Sequence, residues 1–246
     1  LIEQGAKVDA KDNEQGLTPL MWASQLGQTE VVKTLLENGA KVDAKDKYEK
    51  TALKYVEEWL SENQGGWESE TKTHSNIKNL LENAEKLIVK INANSNDINE
   101  NSDLLEHVNF KYDGKTPLMY AASQGKKKYV KKLLEKGAKV DAIDDEETTA
   151  LMWASVDGYE KVINLLIEQG AKVDAKNKDG MTALMWSSYN NNLEVVKTLL
   201  NNGADINLKD DDKETTALMY AAENSNIKTL LTNAGKLITN VSNDID

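Results

Sequence analysis

The tripeptide Thr-(Pro/Ala)-Leu recurs at Thr18-Pro19-Leu20, Thr51-Ala52-Leu53, Thr116-Pro117-Leu118, Thr149-Ala150-Leu151, Thr182-Ala183-Leu184 and Thr216-Ala217-Leu218, at intervals of 33, 65, 33, 33 and 34 residues. A fixed period of this length predicts a stack of like supersecondary units rather than a globule around one core. Each motif reads as a helix start. A Thr hydroxyl accepts a bond from a backbone N–H that has no partner in the first turn, and Pro or Ala suits the first helical position. Within this first helix Leu20, Ala23 and Ser24 share one stripe, as do Leu118/Ala121/Ala122, Leu151/Ala154/Ser155, Leu184/Ser187/Ser188 and Leu218/Ala221/Ala222. Small residues there let neighbouring helices approach closely. Gly27, Gly125, Gly158 and Asn191 then tolerate the left-handed turn that ends the helix. A second helix, from about Glu30 to Asn38 in the first unit, is predicted to bury its Val-Val and Leu-Leu pairs. Gly39, Gly137, Gly170 and Gly203 close it.

Beyond each closing Gly the chain runs Ala-Lys-Val-Asp-Ala or Ala-Asp-Ile-Asn, then a charged stretch leading to the next Thr. This pattern resembles the ankyrin repeat. The resemblance implies an all-α, right-handed ankyrin-repeat solenoid of helix-turn-helix units with protruding hairpin-like loops. It also implies a concave partner-binding surface formed by loop tips and inner helices. The sequence departs from the family in two respects. Met21, Met119, Met152, Met185 and Met219, with Lys54 in the second unit, replace the usual His after the motif, so the Thr–His bonding of the family is absent. The loop Gly survives as Gly16, Gly114 and Gly180 but is Glu49, Glu147 and Glu214 elsewhere, so those three loops are expected to be less regular.

A longer duplication overlies the first. Leu1 through Lys11 is identical to Leu166 through Lys176, and Ser75-Asn76-Ile77-Lys78 with Leu80-Leu81 and Lys86-Leu87-Ile88 returns as Ser225-Asn226-Ile227-Lys228 with Leu230-Leu231 and Lys236-Leu237-Ile238. Ser95-Asn96-Asp97-Ile98 likewise matches Ser242-Asn243-Asp244-Ile245. Residues 1–246 are expected to form one array, cut from a longer one. Residues 1–15 end a truncated repeat, 16–50, 115–147, 148–180 and 181–214 are regular repeats, and 215–246 form an irregular terminal repeat. Residues 51–114 are irregular, with an insertion around Gln64-Gly65-Gly66-Trp67 to His74. Two degenerate repeats sharing one poorly formed loop, or one repeat with an insertion, both fit this stretch. The first is preferred because 65 is close to twice 33. Glu82 to Ile91 is predicted to be helical, with a further short helix from Ser102 to Val108.

Forty-one acids against 30 bases, every base a Lys, give a net charge of −11, which opposes attraction to nucleic-acid phosphates or anionic membranes. Lys-only basicity with abundant Asn and Ile suggests an AT-rich bacterial genome. The chain has no Cys, which removes disulfides and thiol chemistry. No stretch reaches the roughly 20 apolar residues of a membrane span. A monomer is expected.

No constellation for catalysis stands out, so no enzyme, cofactor or metal is expected. His74 and His107 read as surface or packing residues. Asp144-Asp145-Glu146-Glu147 and Asp210-Asp211-Asp212-Lys213-Glu214 lack the ligand spacing and central Gly of a Ca²⁺ loop and read as solvated tips. Lys126-Lys127-Lys128 with Lys131, Lys132, Lys136 and Lys139 form a basic patch, either a solvated helix face or a dock for an acidic partner.

One feature points to recognition. Trp22, Tyr55, Tyr120, Trp153, Trp186 and Tyr220 each stand two residues after a motif Leu, which at about 100° per residue places them roughly 200° round the first helix from the core stripe. These rings either face a groove as binding anchors or pack against neighbouring repeats and loop stems. With the loop-tip residues Tyr48, Asp145, Glu146, Lys178 and Asp179 they form the candidate site for a protein or peptide partner. A spacer that positions an enzymatic or toxic domain is the alternative.

Overall fold

The computed structural model describes residues 5–93, 103–221 and 225–243. The equivalent of the small residue at Ala222, the start of the expected short helix at Ser102 and the Ser95–Ile98 match lie outside the described residues. Twelve α-helices are found among the described residues: α1 (Pro19–Gln25), α2 (Thr29–Glu37), α3 (Ala52–Glu62), α4 (Glu68–Asn92), α5 (Pro117–Ser123), α6 (Lys127–Glu135), α7 (Ala150–Val156), α8 (Glu160–Glu168), α9 (Ala183–Tyr189), α10 (Leu193–Asn201), α11 (Ala217–Tyr220) and α12 (Ser225–Asn243). A short 3-10 helix occupies Asp103–Leu105, in place of the longer helix expected there. Among the described residues no strand forms, and isolated bridges such as Ile143 with Thr149 and Lys209 with Thr216 close the loop stems. The architecture is all-α, as the period predicts.

Each first helix begins at the residue after its motif Thr. The Oγ1 atoms of Thr18, Thr51, Thr116, Thr149 and Thr182 accept the N–H of the third residue along at 3.3–3.4 Å. The Met that replaces His supplies a return bond in two units. The N–H groups of Thr18 and Thr116 donate to the sulfurs of Met21 and Met119, each at 3.4 Å. This is a capping box built with a thioether, a weak acceptor, where Glu or Gln is usual. Helices of seven to nine residues, such as α1 and α2, are too short to persist alone, so burial of their apolar stripes must hold them.

The chain divides into two compact units, residues 1–120 with 135–139, and residues 121–134 with 140–246. In the first, α1 packs on α2 and α3, and α4 on α2 and α3. Leu20, Leu36, Val56, Ile77, Leu81 and Phe110 form its interior, each at most 1% exposed. In the second, α9 packs on α7, α10 and α11, α8 on α7 and α10, and α12 on α10 and α11. Val130, Leu151, Ile163, Leu184, Val196 and Leu199 are buried there. The motif leucines Leu20, Leu118, Leu151 and Leu184 are buried as expected, but Leu218 is only half-buried. α11 has four residues, too short to extend the stripe that covers its counterparts.

Between Thr51 and Thr116 the described residues contain one pair of α-helices. α3 is 11 residues long and α4 is 25, running through the Glu82–Ile91 segment predicted to be helical. Lys111 then pairs directly with the loop after α2: its N–H donates to Ala40 O at 3.1 Å and its carbonyl accepts from Val42 N–H at 3.0 Å. We therefore infer that residues 51–114 are one repeat with enlarged helices, since the preferred two-repeat reading would require a second helix pair. His74 on α4 supports this. Its Nε2 lies 3.2 Å from Gln25 O at the end of α1, and its ring covers Gly27, where a Cβ would come within 2.8 Å of it. Asn192 does the same in the second unit, donating to Ser155 O and Val156 O at 3.0 and 2.9 Å and covering Gly158. Each of these two glycines has positive φ and no room for a side chain.

The loops with Glu in place of Gly are as regular as the others, which corrects the expectation. Glu49, Glu147 and Glu214 hold φ of 61°, 60° and 55°. Each loop keeps its hydrogen bonds because an Asp at its start organises the backbone; the Oδ1 of Asp144, for example, accepts from Glu146 N–H at 2.9 Å and Thr148 N–H at 2.8 Å. The residue with positive φ is therefore strained in place rather than moved. Left-handed backbone costs a non-Gly residue about 1–2 kcal/mol, while Gly loses about 0.4–1 kcal/mol more on ordering, so Glu147→Gly should stabilise the protein by about 0.5–1 kcal/mol in a urea unfolding series. A destabilised variant would show that the strain is absent.

Candidate functional site

The aromatic ladder is bonded to the loops. Trp22 Nε1–H donates to Asp12 Oδ2 at 3.2 Å, Tyr55 O–H to Asp46 Oδ2 at 2.5 Å, Trp153 Nε1–H to Asp144 Oδ2 at 3.0 Å and Tyr220 O–H to Asp210 Oδ2 at 2.5 Å. Tyr120 O–H reaches a loop carbonyl instead, Tyr112 O, at 3.3 Å. In each Asp-based pair the other carboxylate oxygen accepts two or three backbone N–H groups of the same loop. One side chain thus folds the loop and fastens it to the first helix. Of the two expectations, loop-stem packing describes the polar ends of the rings, while their bodies retain exposure: Trp22 is 45% exposed and the other five are half-buried.

Trp186 is the exception. Its loop begins with Asn177, whose Oδ1 accepts from Asp179 N–H and Met181 N–H at 3.1 and 2.8 Å. The remaining side-chain atom, Nδ2, is a donor and cannot accept from an indole, and Trp186 Nε1 is buried without a partner among the described residues.

The pairing sets the charge of the site. Hydrogen bonds, first from Tyr220 and then from Thr215 N–H, hold the Asp210 carboxyl down at about 2. Burial, then the bond to Asp210, pushes the Tyr220 phenol up to about 12. Burial also pushes Tyr55 up to about 12, reinforced by its bond to Asp46. Asp46 lies below the ordinary carboxylate range because bonds from Tyr55, Lys50 and Tyr48 outweigh the opposing effect of burial.

The loop-tip residues Tyr48, Asp145, Glu146, Lys178 and Asp179 are all exposed, Tyr48 to 66%. The structure joins several of them between neighbouring loops. Lys178 N–H donates to Glu146 O at 3.1 Å and its ammonium stands 3.8 Å from the Glu146 carboxylate, while Asp211 N–H donates to Asp179 O at 3.0 Å. Sequence reasoning missed a second row. The Asp of Val-Asp-Ala bonds the next loop: Asp9 to Lys41 N–H at 2.9 Å, Asp141 to Lys172 N–H at 2.9 Å and Asp174 to Asp205 N–H at 3.0 Å. Its recurrence one residue after each Val was the available signal.

His74 is a packing residue, stacked on Trp59 at 3.6 Å with its Nδ1 2.9 Å from Glu70 O. Most of the lysine patch is exposed, with Lys126 and Lys132 half-buried. No group of three or more acids or histidines among the described residues could hold a metal ion, and no described helix is long and apolar enough to cross a membrane. One cavity of about 490 Å³ lies wholly in the second unit. Its walls are Trp186, Tyr189, Tyr220 and Met181, with Asp179, Asp210, Asp212 and Lys213 at its polar edge.

The model of ankyrin repeats matches three segments, residues 1–58, 73–177 and 171–241. The chain belongs to the ankyrin-repeat family. The first two matched segments leave out residues 59–72, the end of α3, the Gly65-Gly66 turn and the start of α4. Ankyrin repeats are generally protein–protein interaction modules. No curated protein matches the chain.

Asn177→Asp would keep both backbone bonds and offer Trp186 Nε1–H the acceptor its counterparts have. A net gain of about 1 kcal/mol is expected, read as a raised thermal midpoint. No gain would mean that the indole is satisfied in some other way. Because the folded pKa of Asp210 lies below its unfolded value, its contribution to stability is complete above about pH 4 and is lost as pH falls through about 2. Tyr220→Phe should raise the Asp210 pKa toward the ordinary range, measurable from its carboxyl carbon shift. An unmoved titration would remove Tyr220 as the main cause.

Proposed function

We propose that this ankyrin array is a non-enzymatic scaffold that grips a protein segment on the face formed by its loop tips and first helices, with the ladder rings as anchors. The partly exposed rings, four of the six held against loop carboxylates and flanked in the second unit by the exposed Asp145, Glu146 and Asp179, carry this reading. Aromatic bodies bury large area with few rotatable bonds, and here loop bonds already fix the orientation of five of the six, so little entropy is lost on binding. The surrounding Asp and Glu favour a segment with apolar anchors and basic flanks. A partner captured from the source organism and mapped by cross-linking provides the test. Trp153→Ala with Trp186→Ala should weaken it by about 2 kcal/mol or more. Trp153 also braces its loop, so a second variant, Asp145→Lys with Glu146→Lys, changes only exposed tips and should slow association with a reduced salt dependence. Unchanged affinity in both folded variants would remove this face from the site.

A further inference from the structure

Two ladder rings already carry a cation supplied by the chain. Lys50 Nζ stands 5.4 Å from the centroid of the Tyr55 ring, and Lys115 Nζ stands 5.9 Å from that of Tyr120. Each lysine immediately precedes its motif Thr. In the first case the surroundings are fully defined: the Tyr55 hydroxyl donates to Asp46 Oδ2, and Lys50 N–H donates to Asp46 Oδ1 at 2.9 Å. Tyr220 repeats both of these bonds in a loop one residue longer. Its hydroxyl donates to Asp210 Oδ2, and the residue before the motif, now Thr215, donates its N–H to Asp210 Oδ1 at 3.0 Å. What differs is the side chain over the ring: Thr215 has no ammonium to place there.

The space is shaped accordingly. The Tyr220 ring borders the 490 Å³ cavity, with Trp186 and Tyr189 as its other aromatic walls. Tyr189 meets Tyr220 edge to face, 6.0 Å between centroids at 86°, and is 63% exposed. Asp179 and Asp212 at the edge make no ion pair among the described residues, and neither does Lys213, the one base lining the cavity. Ring faces attract cations most strongly where water is partly excluded, and carboxylates beside the rings add a direct charge partner.

From this we infer that the cavity bordered by Trp186, Tyr189 and Tyr220 receives a basic side chain, lysine or arginine, of a protein partner, which stands over Tyr220 as Lys50 stands over Tyr55. The inference rests on the proposed partner-binding face and names the chemistry recognised at one place on it. The neutral, acid-rimmed ring that the chain fills from within in one repeat is left for a guest in another.

Acetylated, amidated Gly-Lys-Gly, its arginine counterpart and the neutral norleucine counterpart are the probes, titrated into the intact chain while the Trp186 indole and Tyr189 ring resonances are followed. The two basic peptides should produce saturable shifts at these residues, with the norleucine peptide at least tenfold weaker. Thr215→Lys supplies the internal cation and should reduce binding of the basic peptides at least tenfold while the protein remains folded. Tyr189→Ala, at an exposed position, should also weaken them several-fold. Equal binding of the lysine and norleucine peptides, shifts confined to other residues, or undiminished binding to a folded Thr215→Lys variant would overturn the inference. Those results leave the wider reading standing as long as reversal of Asp145 and Glu146 weakens the full partner. Loss of that effect would defeat the wider reading instead.

Discussion

Four loops of this protein depend on one carboxylate each. Asp12, Asp46, Asp144 and Asp210 use one oxygen to gather the backbone N–H groups of their own turn and the other to hold the Trp or Tyr of the first helix. A loop of this length would otherwise lose order cheaply, because it buries little apolar surface to offset its backbone entropy. A charge-assisted acceptor with several donors compensates for that deficit, and both of its oxygens are engaged. The arrangement also explains why strained glutamates survive at Glu49, Glu147 and Glu214. Once the Asp has fixed the positions of the flanking N–H groups, the intervening residue must take the left-handed region whatever its side chain.

Stacking turns these local devices into a fold. First helices of seven residues cannot hold themselves, and each exposes its stripe until another helix covers it. Small residues at Ala23, Ala154, Ser187 and their equivalents let α1 approach α3, and α7 and α9 approach one another, while side-chain carboxylates such as Asp9, Asp141 and Asp174 bond one loop to the next. The α3–α4 pair obeys the same rules with different parts. α4 continues far past the length of α2 because nothing in Glu82–Ile91 stops a helix, and Ile77, Leu81, Leu87 and Ile91 give it a buried stripe of its own.

Helix starts, helix ends and the core stripe were legible in the sequence because each rests on near-neighbour chemistry: a Thr hydroxyl reaching three residues on, a Gly or Asn accepting positive φ, a Leu recurring on one helical face. What was not legible required contacts across the period. The spacing of 65 residues fits one repeat or two, and the backbone pairing of Lys111 with Ala40 and Val42, on which the one-repeat inference rests, depends on where a 25-residue helix delivers the chain, which no local pattern encodes. The double duty of each loop Asp was similarly hidden, since the aromatic partner lies nine or ten residues away and is recognisable only once both are placed. Leu218 was misjudged because burial depends on what lies beyond it, not on its own motif.

On the reading proposed above, the ladder makes a structural brace and a binding surface of the same residues. In five of the six the polar end of the ring is committed to the loop, which fixes the ring plane and lowers the entropic cost of a further contact with its face. In the Tyr55 and Tyr120 repeats the chain's own lysines take that role, adding a cation over the ring and, at Tyr55, a charge opposite Glu58 at 2.7 Å. At Tyr220, where the preceding residue is Thr215, no such cation stands over the ring among the described residues. Exchange of one residue before the motif Thr therefore converts a position from internally saturated to available, without disturbing the Asp, the turn or the helix start. A repeat array can in this way vary its recognition surface unit by unit while the parts that fold it stay constant.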